Sequence, residues 1–307
     1  MYAKNRIIKA ISTLPVFLVI FIFSFEWYTY NVIFVSTQQT TWTGNYYALH
    51  IVMTAVFNLV WLLAIWSYLR SSLSDPGTVP EEWVNFIHNQ NQAQPADAAV
   101  DSTTSSRWST DGVTTCLKCQ QKRPPRSHHC SICGRCILRM DHHCPWIGNC
   151  VGFKNHKFFV LMTFYGMLAG LLFVLSAVPQ VRGLLLGKLK ASHTLGFGAT
   201  VRDMMLFSLG IILAASFSLS LGGLWATHAY FLATNLTSIE VASSGRNPYS
   251  LGVKQNVQQV MGKFEVAWFI PIHPSEPQTD GLTFPTEAEL LTIEEEAQPL
   301  GKPREEV

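Results

Sequence analysis

Seven cysteines and four histidines fall between Cys116 and Cys150. Soft thiolates and imidazoles at this density are the ligand chemistry of zinc. The segment repeats on itself at an offset of 14 residues. Cys116, Cys119, His129 and Cys136 have the spacing C-x2-C-x9-H-x6-C, and Cys130, Cys133, His143 and Cys150 have it again. Each set matches a closed, tetrahedral, structural site, so two structural zinc ions are expected. A further step of 14 carries Cys130 to Cys144 but Cys133 to Ile147, His143 to Lys157 and Cys150 to Phe164. The third set is left incomplete, and Cys144 has no place in the other two. Spacing alone also permits an all-cysteine site from Cys116, Cys119, Cys130 and Cys133. That pairing would consume Cys144 with Cys136, Cys150 and a histidine; the repeat favours the first.

A spare thiol is often only a small buried hydrophobe. Here Asp141 and His142 stand three and two residues before it, outside both ligand sets. A thiolate needs a base or cation nearby to form at neutral pH, and an imidazole oriented by a carboxylate supplies one. The expected roles are Asp141 orienting, His142 accepting the proton and Cys144 attacking. In the preceding copy Ser127 stands where Asp141 does, so His128 is expected to be structural. His156 is expected only to hydrogen-bond.

These residues need elements to hold them. The chain is 48% hydrophobic and only 14% charged, a balance that points to a membrane protein. Four stretches, 14–35, 49–69, 158–178 and 205–233, are long and apolar enough to span a bilayer. Glu26 interrupts the first and Asn58 the second, each expected against a neighbouring helix or near an interface. The first is too long for a signal-peptide core and lacks a clean cleavage site. Lysine and arginine set the orientation. With both termini cytosolic, the cytosolic side holds 18 and the far side 4. All seven cysteines then lie in one cytosolic segment, where a reducing environment disfavours disulfides. The Asn235-Leu236-Thr237 sequon lies on that side too and is expected to be unmodified.

The resulting plan is an all-α integral membrane protein with a Cys-rich module between its second and third helices. A cytosolic N-terminus (1–13) leads to the first span (14–35), a lumenal loop (36–48) and the second span (49–69). A linker (70–115) precedes the module (116–157). The third span (158–178), a lumenal loop (179–204) and the fourth span (205–233) follow. A cytosolic tail (234–284) contains a short amphipathic helix, and an acidic disordered end (285–307) closes the chain.

The stretch "CLKCQQKRPPRSHHCSICGRCILRMDHHCPWIGNCVGFKNHKFF" closely resembles the cysteine-rich domain of the DHHC family of protein S-acyltransferases, the palmitoyltransferases. "DPG" at 75–77, "TSIE" at 237–240 and "NPYSLGVKQNVQQVMG" at 247–262 resemble further family motifs, the last with Tyr249 and Asn256 in register. Ser238 replaces a threonine and keeps the hydroxyl. The resemblance implies that this position helps hold the active-site Asp141, and that Trp146, Thr237 and Asn256 support the site. It implies transfer of a long-chain acyl group, typically palmitoyl, from acyl-CoA to cysteines of membrane-associated client proteins through a Cys144 acyl-enzyme. The bilayer is a partner; nucleic acid is not expected. Arg123, Arg126, Arg135, Arg139, Lys154 and Lys157 are candidates for the CoA phosphates, against lipid binding or solvation. Gly166, Ala169 and Gly170 form a small patch on the third span. It serves close helix packing or gives depth to an acyl cavity. Golgi or endoplasmic reticulum is the expected residence, with the plasma membrane as alternative. The rival functions are a non-catalytic membrane-anchored zinc scaffold and, less favoured, a zinc transporter, whose ligands should lie within the spans.

Overall fold

The computed structural model describes residues 14–35, 45–92, 112–185, 201–242, 247–275 and 277–289. The basic N-terminus, most of both far-side loops, the middle of the linker and the end beyond 289 lie outside the described residues. Four helices are long and apolar enough to cross a membrane: Leu14–Val35, Ala48–Leu73, His156–Arg182 and Val201–Thr234. We label them α1 to α4. The third is the most enclosed, and its Phe159, Tyr165, Ala169 and Phe173 join the main core with Phe23 and Tyr30 of α1 and Phe57 of α2. In α1 the helix widens into a π-helical stretch at Thr29–Val35. Asn58 faces α1, accepting from Trp27 Nε1 at 2.9 Å and donating to Asn31 Oδ1 at 2.8 Å. That satisfies a polar group that lipid would not.

Glycine lets α3 and α4 touch. A Cβ on Gly170 would sit 2.6 Å from the Ala214 carbonyl oxygen, so the helix backbones meet where a side chain has no room. Ala169 beside it is fully buried. Gly170→Leu is expected to destabilise the protein by ~1–3 kcal/mol through overpacking. Gly223→Ala, where a Cβ meets nothing within 4 Å, is expected not to. Thermal unfolding in detergent compares the two.

Between α2 and α3 the chain is not helical throughout. It forms three antiparallel hairpins: β1 (Thr114–Cys116) with β2 (Gln121–Arg123), β3 (His128–Cys130) with β4 (Arg135–Ile137), and β5 (His142–Cys144) with β6 (Asn149–Val151). Corresponding strands are again 14 residues apart. Gln120, Gly134 and Gly148 take left-handed backbone conformations at the equivalent turn position, the geometry such tight turns require. The all-α expectation therefore describes the membrane part, and the sequence repeat is a repeat of hairpins. The third hairpin exists although its metal set does not.

The segment 70–115, expected as a linker, carries an ordered element at its start. Glu81–Gln92 is a helix that buries Trp83 and Ile87 against Leu138 and Leu282. An apolar helical face pays part of its ordering entropy by burial, and the module and tail supply the surface. Two short tail helices follow α4: Ser238–Val241 and Val253–Met261. The second is the amphipathic segment read from the sequence, and Val260 and Met261 join the main core.

Candidate active site

Each metal set bridges two hairpins. Cys116 and Cys119 come from the first turn, and His129 and Cys136, a cross-strand pair, come from the second hairpin. Cys130 and Cys133 meet His143 and Cys150, a cross-strand pair of the third, in the same manner. Within each set the ligand atoms lie within 4.8 Å of one another. In the second, His143 Nδ1 is 3.6, 3.5 and 3.5 Å from the sulfurs of Cys130, Cys133 and Cys150. A tetrahedron with Zn–S and Zn–N bonds of ordinary length has an S···N edge of about 3.6 Å. The donors fit zinc in type, number and spacing. The neighbouring sulfurs Cys133 and Cys150 are 3.5 Å apart, too far for a disulfide. The all-cysteine pairing is not the one the fold assembles.

The positions that would begin a third site have turned inward. Cys144 and Ile147 are both buried in the main core. They line a cavity of about 360 Å³ with Phe23 and Glu26 of α1, Tyr68 of α2 and Gly166 of α3. A position that would begin a Cys-x2-Cys turn has become one end of an apolar pocket. Gly166 lines it, whereas Ala169 and Gly170 do not and belong to helix packing.

Asp141 is fully buried, and its Oδ2 is 2.6 Å from His142 Nδ1. Ser238 holds the same aspartate twice: its backbone N–H donates to Asp141 Oδ1 at 2.9 Å and its hydroxyl donates to the Asp141 carbonyl oxygen at 2.6 Å. The exchange of threonine for serine keeps the group that acts. Thr237 caps the short helix with Glu240 in a reciprocal capping box, which fixes the Ser238 N–H. Burial alone would raise the Asp141 carboxyl, but His142, the nearby His156 and His228, and the Ser238 N–H hold it well below the usual carboxylate range. Burial likewise opposes charge on His142, yet its hydrogen bond to Asp141 and the nearby Cys144 sulfur raise it to about 9. The arrangement favours an imidazole that has taken a proton, beside the thiol. His228 of α4 lies 5.9 Å ring to ring from His142, and its Nδ1 is 3.1 Å from His156 Nε2.

The six basic candidates divide. Arg126 and Arg139, expected at the CoA phosphates, are buried and engaged inside the protein. Arg126 forms a two-point ion pair with Glu240 at 2.7 and 2.8 Å and donates to the Asn235 carbonyl oxygen at 2.8 Å. Its guanidinium lies 4.5 Å from the Tyr249 ring centroid and 4.8 Å from that of Phe284. Arg139 reaches Asn235 Oδ1 and His156 Nδ1 at 3.2 and 3.0 Å. Lys157 is buried, with no hydrogen-bond partner for Nζ. Arg123, Arg135 and Lys154 remain accessible. The last two lie beside Asp75 of the DPG motif, at 3.9 and 3.3 Å.

Further residues support the site, and the first of them escapes a sequence reading. Asn235, visible there only as a sequon, binds both arginines, the Tyr249 carbonyl and Gln259. Its left-handed backbone turns the chain from α4 to Ser238. Asn256 donates to the Ala233 carbonyl at 2.8 Å and accepts from the Leu251 N–H at 2.8 Å, tying the tail helix to the end of α4. Trp146 is half exposed, lines the cavity and accepts from Tyr68 Oη at 3.0 Å. Asn155 donates to the carbonyls of Ser71 and Cys150 at 3.1 and 2.8 Å, seating the module on the end of α2.

Residues 109–245 match the family model described as DHHC palmitoyltransferase. "Probable protein S-acyltransferase 13" of Arabidopsis thaliana is 33% identical over 297 residues, 93% of this chain and 94% of that one. "Palmitoyltransferase ZDHHC20-B" of Danio rerio is 30% identical over 80% of this chain and 78% of its own. "Palmitoyltransferase ZDHHC2" of Homo sapiens is 28% identical over 92% and 78%.

Proposed function

We propose, from the premise that the chain belongs to the DHHC palmitoyltransferase family, that Cys144 carries the acyl group between an acyl-CoA donor and a client thiol. The protein is a multi-pass membrane enzyme with protein S-acyltransferase activity. The observation that carries the finer reading is the juxtaposition at Cys144. Its thiol opens on the apolar cavity, on the same short strand as the imidazole that Asp141 holds.

In the first step His142 takes the thiol proton and the Cys144 sulfur attacks the thioester carbonyl carbon. The carbon–sulfur bond to coenzyme A breaks, and coenzyme A leaves as a thiol with a proton returned from the imidazolium. In the second step a client cysteine gives its proton to His142, attacks the acyl-enzyme carbonyl and releases Cys144. A thioester replaces a thioester each time, so the enzyme supplies positioning and proton transfer rather than driving force. The cavity holds the acyl chain, each buried methylene contributing about 0.8 kcal/mol. Zinc, when bound, is a structural tether: the two Cys₃His sets hold the hairpins that present Asp141, His142 and Cys144. Arg123, Arg135 and Lys154 are the basic groups left to meet CoA phosphates. Both termini face the cytosol, following the positive-inside bias, in Golgi or endoplasmic reticulum membranes.

The test uses purified full-length protein in nanodiscs with labelled palmitoyl-CoA. Hydroxylamine-sensitive label should appear on the enzyme before it appears on an added membrane-anchored peptide bearing one cysteine. Transfer to the peptide with no labelled enzyme at any time in a rapid-quench series overturns the two-step route.

A further inference from the structure

Glu26 interrupts an otherwise apolar run near the middle of α1. Its side chain is 94% buried, and Oε1 is closed to solvent without a hydrogen-bond partner. The same side chain lines the cavity that contains Cys144, with Ser220 of α4 adding a hydroxyl to the wall. The other polar groups of this stretch, Trp27 and Asn31, are paired with Asn58. A polar group at membrane depth calls for a partner. The described residues provide none for either carboxyl oxygen; Oε1 is sealed off, and Oε2 is the atom left open to a ligand in the cavity.

The depth of Glu26 defines the partner. Val16 marks the level of the Cys144 hairpin: a Cβ on Gly148 would sit 3.1 Å from its side chain, and Tyr68 Oη reaches the carbonyls of Trp146 and Val16 at 3.0 and 3.5 Å. Ten residues on, Glu26 lies about 15 Å further into the membrane. An extended hydrocarbon zigzag of C–C bonds near 1.5 Å advances ~1.25 Å per carbon. The carboxyl therefore faces the region of about the twelfth carbon of a chain whose thioester is at Cys144. A plain saturated chain lays methylenes against it and leaves it unpartnered. A hydroxyl at that depth meets it.

Resting on the Cys144 acyl-enzyme reading, we propose that Glu26 is a specificity residue: it makes the cavity a site for long-chain acyl thioesters carrying a hydroxyl near carbon 12. Sites built around a buried hydrogen bond discriminate strongly against analogues that lack it, because their own polar group is stranded.

Full-length protein in nanodiscs is given equal amounts of octadecanoyl-CoA and 12-hydroxyoctadecanoyl-CoA. The two chains on the Cys144 peptide are counted by mass spectrometry. The wild type should favour the hydroxylated chain by about tenfold or more. Glu26→Leu should abolish or invert that preference, and Glu26→Gln, which keeps a hydrogen-bonding group of the same shape, should retain most of it. A wild-type ratio near one, or the same ratio in Glu26→Leu, overturns this inference alone and leaves Cys144 as the acyl carrier. No label from either chain overturns the proposed function and this inference together.

Discussion

Cys144→Ser protein is expected to retain two zinc ions per chain and to acquire no hydroxylamine-sensitive label from palmitoyl-CoA. Both halves follow from the hairpin repeat. The metal sets are complete without Cys144, so losing its sulfur removes no ligand. Serine is nearly the same size, so the buried position beside Ile147 is not emptied. The hydroxyl is a far weaker nucleophile than a thiolate, and no thioester can form on it. Elemental analysis of the purified variant reads the metal; gel fluorography with and without hydroxylamine reads the acyl-enzyme. Loss of one zinc from Cys144→Ser would return the thiol to a ligand set. Undiminished label would move the nucleophile elsewhere.

Arg126→Ala is expected to cost ~3–5 kcal/mol of stability, the range for removing one partner of a buried ion pair. Glu240 would lose both guanidinium hydrogen bonds while its carboxylate stays largely enclosed. Tyr249 and Phe284 would lose the cation between them. Arg126→Lys should recover little, because one ammonium cannot reproduce the planar two-point contact. Activity should fall as well, since Glu240 closes the capping box that sets the Ser238 N–H against Asp141. Thermal unfolding and turnover against acyl-CoA concentration separate this from phosphate recognition. A positioning role lowers kcat and Tm with KM little changed. A rise in KM for acyl-CoA at unchanged Tm would restore Arg126 to the donor site.

Much of the site is legible in the chain because its determinants are local. The offset of 14 identifies the ligand sets before any fold is known, since each set joins one hairpin turn to the next cross-strand pair. His142 and Asp141 adjoin Cys144, so their roles follow from three-residue spacing. The four spans follow from hydropathy, because lipid admits few alternatives to an apolar helix. Basic side chains were harder to place. Charge is visible in a sequence, but burial is not: Arg126 and Arg139 look like Arg123 until Asn235, Glu240 and Tyr249 arrive from about a hundred residues away.

What the sequence by itself determined is therefore the chemistry: two metal sets, one spare thiol and four membrane helices, all encoded in short periodicities. The tertiary structure alone decided what surrounds that chemistry. It brought Ser238 onto Asp141, His228 beside His142, and Glu26 into the cavity that Cys144 opens on. The physical reason is range. Ligand spacing and hydropathy act within a hairpin or a helix, whereas a pocket between helices depends on which faces pack together, and no local pattern specifies that.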